Sequence, residues 1–183
     1  MPIAENKVRF GLKNVHYAVW DGTAYGTPVA VPGAVNLDLD ASGEMTKFYA
    51  DNIAYYVASG NQGYEGSIEM ARIPDQMLID IWKYSQGQTS KVLTESADAE
   101  AATFALLYQI DGDQDNEYYA LYACSAGRPS IGSQTKEEAK EPVTQEFDIS
   151  ATPRADGKVF AKTTKDTPVA TKNAWFTSVF VEQ

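Results

Sequence analysis

The sequence predicts a mainly β domain, a sandwich or barrel of eight or nine short strands with one short helix laid against it. Three observations predict this. Several segments alternate apolar and polar residues with a period of two, turn dipeptides separate them, and only one stretch shifts to a helical period. The chain has 183 residues, of which 44% are hydrophobic and 22% charged, enough to build one core, so a single domain over 1–183 is expected.

Each element follows from its residues. Val15–Trp20 (VHYAVW) is β-branched and aromatic, and runs into the turn signal Asp21-Gly22. In Ala34–Ala41, Val35, Leu37 and Leu39 lie on one face and Asn36, Asp38 and Asp40 on the other, a half-buried strand with a wet acidic face. Lys47–Gly60 reads as two extended pieces around Asp51-Asn52. Gly63–Arg72 alternates Tyr64, Ile68 and Met70 against Glu65, Ser67 and Glu69. Then the period changes. Pro74 suits the first position of a helix, and Met77, Leu78, Ile81 and Trp82 share one helical face, so a helix is expected over about 74–86, stopped by Gly87. Thr103–Ile110 and Glu117–Ala126 flank an acidic turn and predict a hairpin. Residues 127–142 are polar and rich in Gly and Pro, and read as a loop or arm. Thr144–Ala151 alternates Phe147 and Ile149 against Glu146 and Asp148; Lys158–Thr164 and Trp175–Gln183 are read as the last strands. The first ten residues or so are expected to be a flexible N-terminal segment.

Charge excludes several functions. Twenty-five acidic residues against fifteen basic ones leave a formal net charge of −10, which argues against a surface that grips nucleic acid by neutralising phosphates. The acidity is concentrated in residues 92–127, which carry Glu95, Asp98, Glu100, Asp111, Asp113, Asp115 and Glu117 and no base. One Cys and one His exclude an intramolecular disulfide and a Cys/His zinc cage. The opening MPIAENKVRF lacks the apolar core of a signal peptide, and no apolar run is long enough to span a membrane as a helix, which together point to assembly in the cytoplasm.

Candidate chemistry is sparse. Asp111, Asp113 and Asp115 match the first three positions of an EF-hand loop, but Asn116 stands where glycine is needed and Tyr122 where the bidentate Glu is needed. Ser125 in ACSAG is a near-miss to a nucleophile elbow, and the only histidine, His16, lies far upstream inside an aromatic strand. No phosphate-binding glycine loop occurs. No catalytic, cofactor or metal residue is therefore assigned, and the protein is read as a binding or structural module rather than an enzyme. Eleven Tyr, seven Phe and three Trp suit strand core, a subunit interface or a sugar-binding platform.

The segments PGAVNLDLDASGEMTKFYADN, GYEGSIEMARIPDQ, FALLYQIDGD, SAGRPSIGSQTKEEAKEPVTQEFDISATPRADGKVFAKT and NAWFTSVF, in this order, resemble the major tail protein of long, non-contractile-tailed bacteriophages and prophages of Gram-positive bacteria. The resemblance runs from about Lys7 to Val181. It implies a tail-tube β-sandwich or barrel of two packed antiparallel sheets with a flanking helix. It implies hexameric rings stacked into a hollow tube around a tape-measure protein, closed by a tail-terminator protein, in the virion. DNA would be a transiting cargo, and no membrane, cofactor or enzymatic activity is implied. Within such a tube the polar faces of the alternating strands supply the candidates for the lumen wall: Asp38, Asp40, Glu65, Glu69, Glu146 and Asp148. The arm at 127–142, with Lys136, Glu137, Glu138, Lys140 and Glu141, and the segment Glu44–Gly63 are the candidates for contacts between rings. The alternative is a β-sandwich carbohydrate-binding or virion decoration module, which would present a planar row of exposed Tyr or Trp.

Overall fold

Alternating strands need a second layer to cover their apolar face, and here one long sheet supplies both layers. The computed structural model describes residues 5–133, 135 and 142–182. In chain order its elements are β1 (Arg9–Val19), β2 (Val29–Ala30), β3 (Ala34–Ser42), β4 (Met45–Ala50), β5 (Ile53–Ser59), β6 (Gly63–Met70), α1 (Asp75–Asp80), β7 (Ser85–Gln86), β8 (Leu93–Thr94), β9 (Phe104–Gly112), β10 (Glu117–Ala126), β11 (Gln145–Ala151), β12 (Phe160–Lys162) and α2 (Val169–Ala174). The large antiparallel sheet has eight strands, in the order β2-β1-β9-β10-β11-β6-β3, with β12 also paired to β10. The ribbons β4–β5 and β7–β8 are separate two-stranded sheets.

The sheet turns over at β10. One edge of β10 pairs with β12 at Tyr119–Leu121 and with β11 at Cys124–Ala126. Between them the register against β9 slips, and Ala123 takes φ +38°, an uncommon conformation for a side-chain-bearing residue. Beyond this fork β11, β6 and β3 fold back, so that Cα atoms of β1 and β3 come within 8 Å of each other. Tyr17 and Phe104 from one half and Ile68, Phe147 and Ile149 from the other close one apolar core, which Met77 of α1 and Ile81, the residue after the helix, plug. The expected mainly β, antiparallel architecture with a short flanking helix is observed; the two layers, expected as two sheets, are drawn from one folded sheet, and a second short helix, α2, accompanies the expected one.

A second apolar cluster lies on the outer face of β1, β9 and β10. Ala18, Ala105 and Ala120 form a floor of small side chains on which Trp175 of the C-terminal segment is buried. This segment corrects one expectation: Trp175–Gln183 is expected as a strand, but its described part, which follows α2, is a turn over 175–177 and then irregular chain. The reason is visible in its spacing. Trp175, Phe176, Val179 and Phe180 fall at i, i+1, i+4 and i+5, a helical period, and all pack into this cluster.

The first helix is also shorter than the expected 74–86. It covers Asp75–Asp80 and ends in a Schellman-type stop: Lys83 takes φ +58° and the Tyr84 N–H bonds to the Leu78 carbonyl at 3.2 Å. The turn places both Ile81 and Trp82 in the core, and Ser85–Gln86 then starts the small ribbon β7–β8. Of the N-terminal segment, residues 5–8 lie along the β9–β10 turn and Arg9 opens β1. Among the described residues no helix is long and apolar enough to cross a membrane.

Candidate functional site

Three strands far apart in sequence assemble one acidic surface. β6 lies between β3 and β11, and the registers align Asn36–Glu69–Glu146, Asp38–Ser67–Asp148 and Asp40–Glu65–Ser150 as cross-strand rows. With a side-chain period of two, all nine residues point to one face, while Leu37, Leu39, Ile68, Phe147 and Ile149 point to the core on the other. The six carboxylates singled out from sequence, Asp38, Asp40, Glu65, Glu69, Glu146 and Asp148, therefore share one surface, and each row holds two of them. The three strands carry no Lys or Arg. Among the described residues none of the six forms an ion pair. Hydroxyls supply what local relief there is: Ser67 Oγ donates to Glu146 Oε1 at 2.6 Å, and Thr144 Oγ1 donates to Glu69 Oε1. The face is an open, shallow trough of about 700 Å³ whose floor includes Gly66 and Ser125. Ser125 sits inside strand β10 opposite Ser150, not on a strand-to-helix elbow.

The acidic tract of residues 92–127 behaves differently. Its carboxylates find cations supplied from distant parts of the chain. Asp111 pairs with Lys13, Asp115 with Lys172, Glu95 with Arg128 at 3.3 Å, and Glu117 with both Arg9 and Lys162 at 3.1 Å. Asp113 accepts the Lys7 backbone N–H at 2.8 Å. The three aspartates of the EF-hand-like run thus diverge to three separate partners. Burial pushes the Glu117 carboxyl up, but hydrogen bonds from Tyr119, Lys162 and Asn6 outweigh it and hold the group below its ordinary range. Hydrogen bonding and the Lys13 charge likewise lower Asp111, and backbone N–H donors lower Asp113. The tract that dominates the sequence charge is largely compensated, whereas the six strand-face carboxylates are not.

The second feature is a projecting ribbon. β4 and β5 continue β3 and β6 past a backbone crossing at Gly43 and Gly60. A Cβ on Gly43 would lie 2.0 Å from the Gly60 carbonyl oxygen, so only glycine fits there. Strands of six and seven residues then extend about 20 Å beyond the sheet. Asp51 and Asn52, at φ +51° and +62°, form the tight turn at the tip, as residues with this tolerance do in two-residue hairpin loops. Phe48, Tyr49, Ile53, Tyr55 and Tyr56 on this ribbon are 61–71% exposed. Neighbours in sequence alternate sides, so both faces carry large apolar groups. A patch of this size marks an interaction surface, and an isolated two-stranded ribbon is marginal until something covers it. The segment Glu44–Gly63, expected to make contacts, is this ribbon with its base.

The remaining candidates fall in place as follows. Lys136, Glu137, Glu138, Lys140 and Glu141 lie outside the described residues. His16 stacks on Phe176 with ring centroids 4.7 Å apart and its Nδ1 faces the Asn14 carbonyl at 2.8 Å. Cys124 is fully buried, and burial pushes its thiol up to about 12. Trp82 and Trp175 are buried and Trp20 half-buried, and the exposed tyrosines Tyr49, Tyr55 and Tyr56 all stand on the β4–β5 ribbon. Sequence reasoning missed the ion-paired hub around Glu117, whose partners Arg9 and Lys162 carry no local signal of their meeting.

No protein-family model matches the chain, and no curated protein matches it. Thirteen solved chains match it in structure. Among them is a chain of the anti-feeding prophage baseplate, 6-fold symmetrised, with 5% identity over 90% of this chain and 99% of that one, at a TM-score of 0.49. A chain of the anti-feeding prophage tube-terminating cap has 9% identity, covers 88% and 96%, and has a TM-score of 0.47. A chain of the sheath–tube complex of an extracellular contractile injection system, PVC, in the extended state has 11% identity, covers 82% and 88%, and has a TM-score of 0.45.

Proposed function

We propose that this chain is a structural subunit of a tail tube, assembling as stacked hexameric rings around a lumen through which DNA passes. The observation that carries the reading is the uncompensated acidic face of β3, β6 and β11. A conduit for DNA needs a wall that phosphate does not adhere to, and carboxylates without neighbouring cations repel it. With six copies the ring would present six such faces inward. The resemblance of nearly the whole sequence to the major tail proteins of non-contractile tails supports the same reading, as do two features of the geometry. Among the described residues the outer edge of β3 pairs with no other strand, and an edge strand of this length is a template for a neighbouring subunit. The apolar ribbon projects from the end of the same sheet, where an adjacent ring would cover it. The partners follow from that role: further copies of the chain, a tape-measure protein in the lumen and a terminator at the tube end, in the virion after assembly in the host cytoplasm. No enzymatic activity is proposed.

Microscopy of the purified chain at high concentration tests this. Rings or hollow tubes with six-fold symmetry are expected, and their reconstruction should place Asp38, Glu65 and Asp148 on the inner wall. A protein that stays monomeric at all concentrations and salt conditions, or tubes with these residues outside, would overturn it.

A further inference from the structure

Residues 5–9 and the segment that carries β12 and α2 are fastened to the same turn. The β9–β10 pairing ends at Ile110–Glu117, so Asp115 lies in irregular chain whose polar groups need partners from elsewhere. Asn6 supplies them. Its Oδ1 accepts the Gln114 and Asp115 N–H groups, both at 2.9 Å, and its Nδ2 donates to the Asp115 carbonyl at 2.8 Å. Gly112 leaves the space for this amide: a Cβ there would lie 2.0 Å from Asn6 Nδ2 and 2.3 Å from the Asp115 carbonyl oxygen. From the other side of the sequence, the Asp115 carboxylate pairs with Lys172 of α2, and Glu117, already paired with Arg9, also takes Lys162 of β12. The Lys172 side chain is only 13% exposed, so its pair is sheltered from the screening that weakens surface pairs. Little else holds α2. It has six residues, none of them buried, and its N-cap Pro168 makes no side-chain cap bond. A helix this short does not persist by itself.

We infer that the β9–β10 turn is a latch coupling the two ends: residues 5–9 in place hold Asp115 where Lys172 docks, so displacing them loosens α2 and the cover of the Ala18–Ala105–Ala120 floor. Asn6 binds the main chain of Asp115 and Lys172 binds its side chain, so the two need no contact with each other. Without Asn6 the Asp115 N–H and C=O turn to water and the turn gains freedom, and pairing with Lys172 must then also order the turn. Linkage makes the effect reciprocal: freeing α2 loosens the hold on residues 5–9 by the same factor. The latch acts within one copy, so it does not depend on the tube reading.

Amide hydrogen exchange on full-length chains tests it, with Asn6→Ala, Lys172→Met and the double variant beside the unmodified protein. The protected amides of Lys172, Trp175 and Thr177 report the C-terminal segment, and those of Lys7, Gln114 and Asp115 report the N-terminal one. Asn6→Ala should speed exchange at Lys172, Trp175 and Thr177 at least about fivefold. Lys172→Met should speed Lys7, Gln114 and Asp115 by a comparable factor. In the Lys172→Met background, Asn6→Ala should add nothing further at Trp175 and Thr177. Gly112→Ala evicts the Asn6 amide by a second route and should repeat the Asn6→Ala pattern. Unchanged exchange at Trp175 and Thr177 in either Asn6→Ala or Gly112→Ala overturns the inference. So does an equal rise in the core amides of Leu106, Leu107 and Leu121, which would mean general loosening rather than a latch.

Discussion

Glu69 and Glu146 face each other across neighbouring strands with hydroxyls, not cations, beside them. Like charges in directly opposed positions destabilise a sheet. Glu69→Gln should therefore raise the unfolding free energy by about 0.5 kcal/mol at low salt, and the gain should fade in ~1 M salt, read as the difference between urea midpoints. A loss of stability instead would mean that the carboxylate is needed where it stands. Glu117 is the opposite case. Its folded carboxyl lies below the ordinary 4.5, so its contribution to stability is complete above that value and is lost as pH falls through the lowered folded one. Glu117→Gln should cost about 1 kcal/mol at pH 7 and flatten the acid limb of the stability profile below about pH 4.5. Cys124 should stay inert to a thiol reagent at pH 8 until the chain is unfolded, since burial keeps it protonated.

At the scale of elements, close backbone approach and one aromatic anchor decide stability. A Cβ on Gly66 would lie 1.9 Å from the Asp38 backbone oxygen, which no side-chain rotation relieves. Gly66→Ala should force β3 away from β6 at a cost of about 2–3 kcal/mol, seen as a lowered urea midpoint together with faster amide exchange in β3. The C-terminal segment is held by Trp175, whose indole N–H donates to the Tyr119 carbonyl at 3.2 Å, by the Tyr122 hydroxyl on the Phe180 carbonyl, and by the Lys172–Asp115 pair. Trp175→Ala should cost about 3–5 kcal/mol and release this segment to proteolysis before the sheet unfolds. By contrast, β4 and β5 contain no buried residue, so shortening that ribbon should leave the core intact.

For the whole molecule, charge and apolar surface are sorted to different places. The partnered carboxylates Asp111, Asp113, Asp115 and Glu117 ring the β9–β10 turn, six carboxylates without an ion pair among the described residues cover β3, β6 and β11, and the neutral apolar ribbon stands off one end. A chain lacking residues 46–57 should fold with an unchanged urea midpoint yet fail to form tubes, as scored by sedimentation and microscopy. Tubes formed without the ribbon would remove it from the assembly contact.

Alternation is a local property, so the sequence alone determined which residues of Asn36–Asp40, Gly63–Met70 and Gln145–Ala151 face water, and hence the six acidic candidates; Val35, expected on the apolar face with Leu37 and Leu39, is instead 53% exposed, because the register against β6 shifts between Ala34 and Asn36. It also placed the Asp51-Asn52 turn, because tolerance of positive φ belongs to the residue. It did not determine the C-terminal segment, where a helical spacing of aromatics was read as a strand, nor the end of α1 at Lys83, where no glycine marks the stop. Only the tertiary structure decided that three strands up to about a hundred residues apart place their carboxylates on one face, since that depends on register between distant segments. The same holds for the tract of residues 92–127. Its net charge is evident in sequence, but its cations, Lys13, Arg9, Lys162 and Lys172, arrive through folding, and among the described residues none of them reaches the six carboxylates of the strand face.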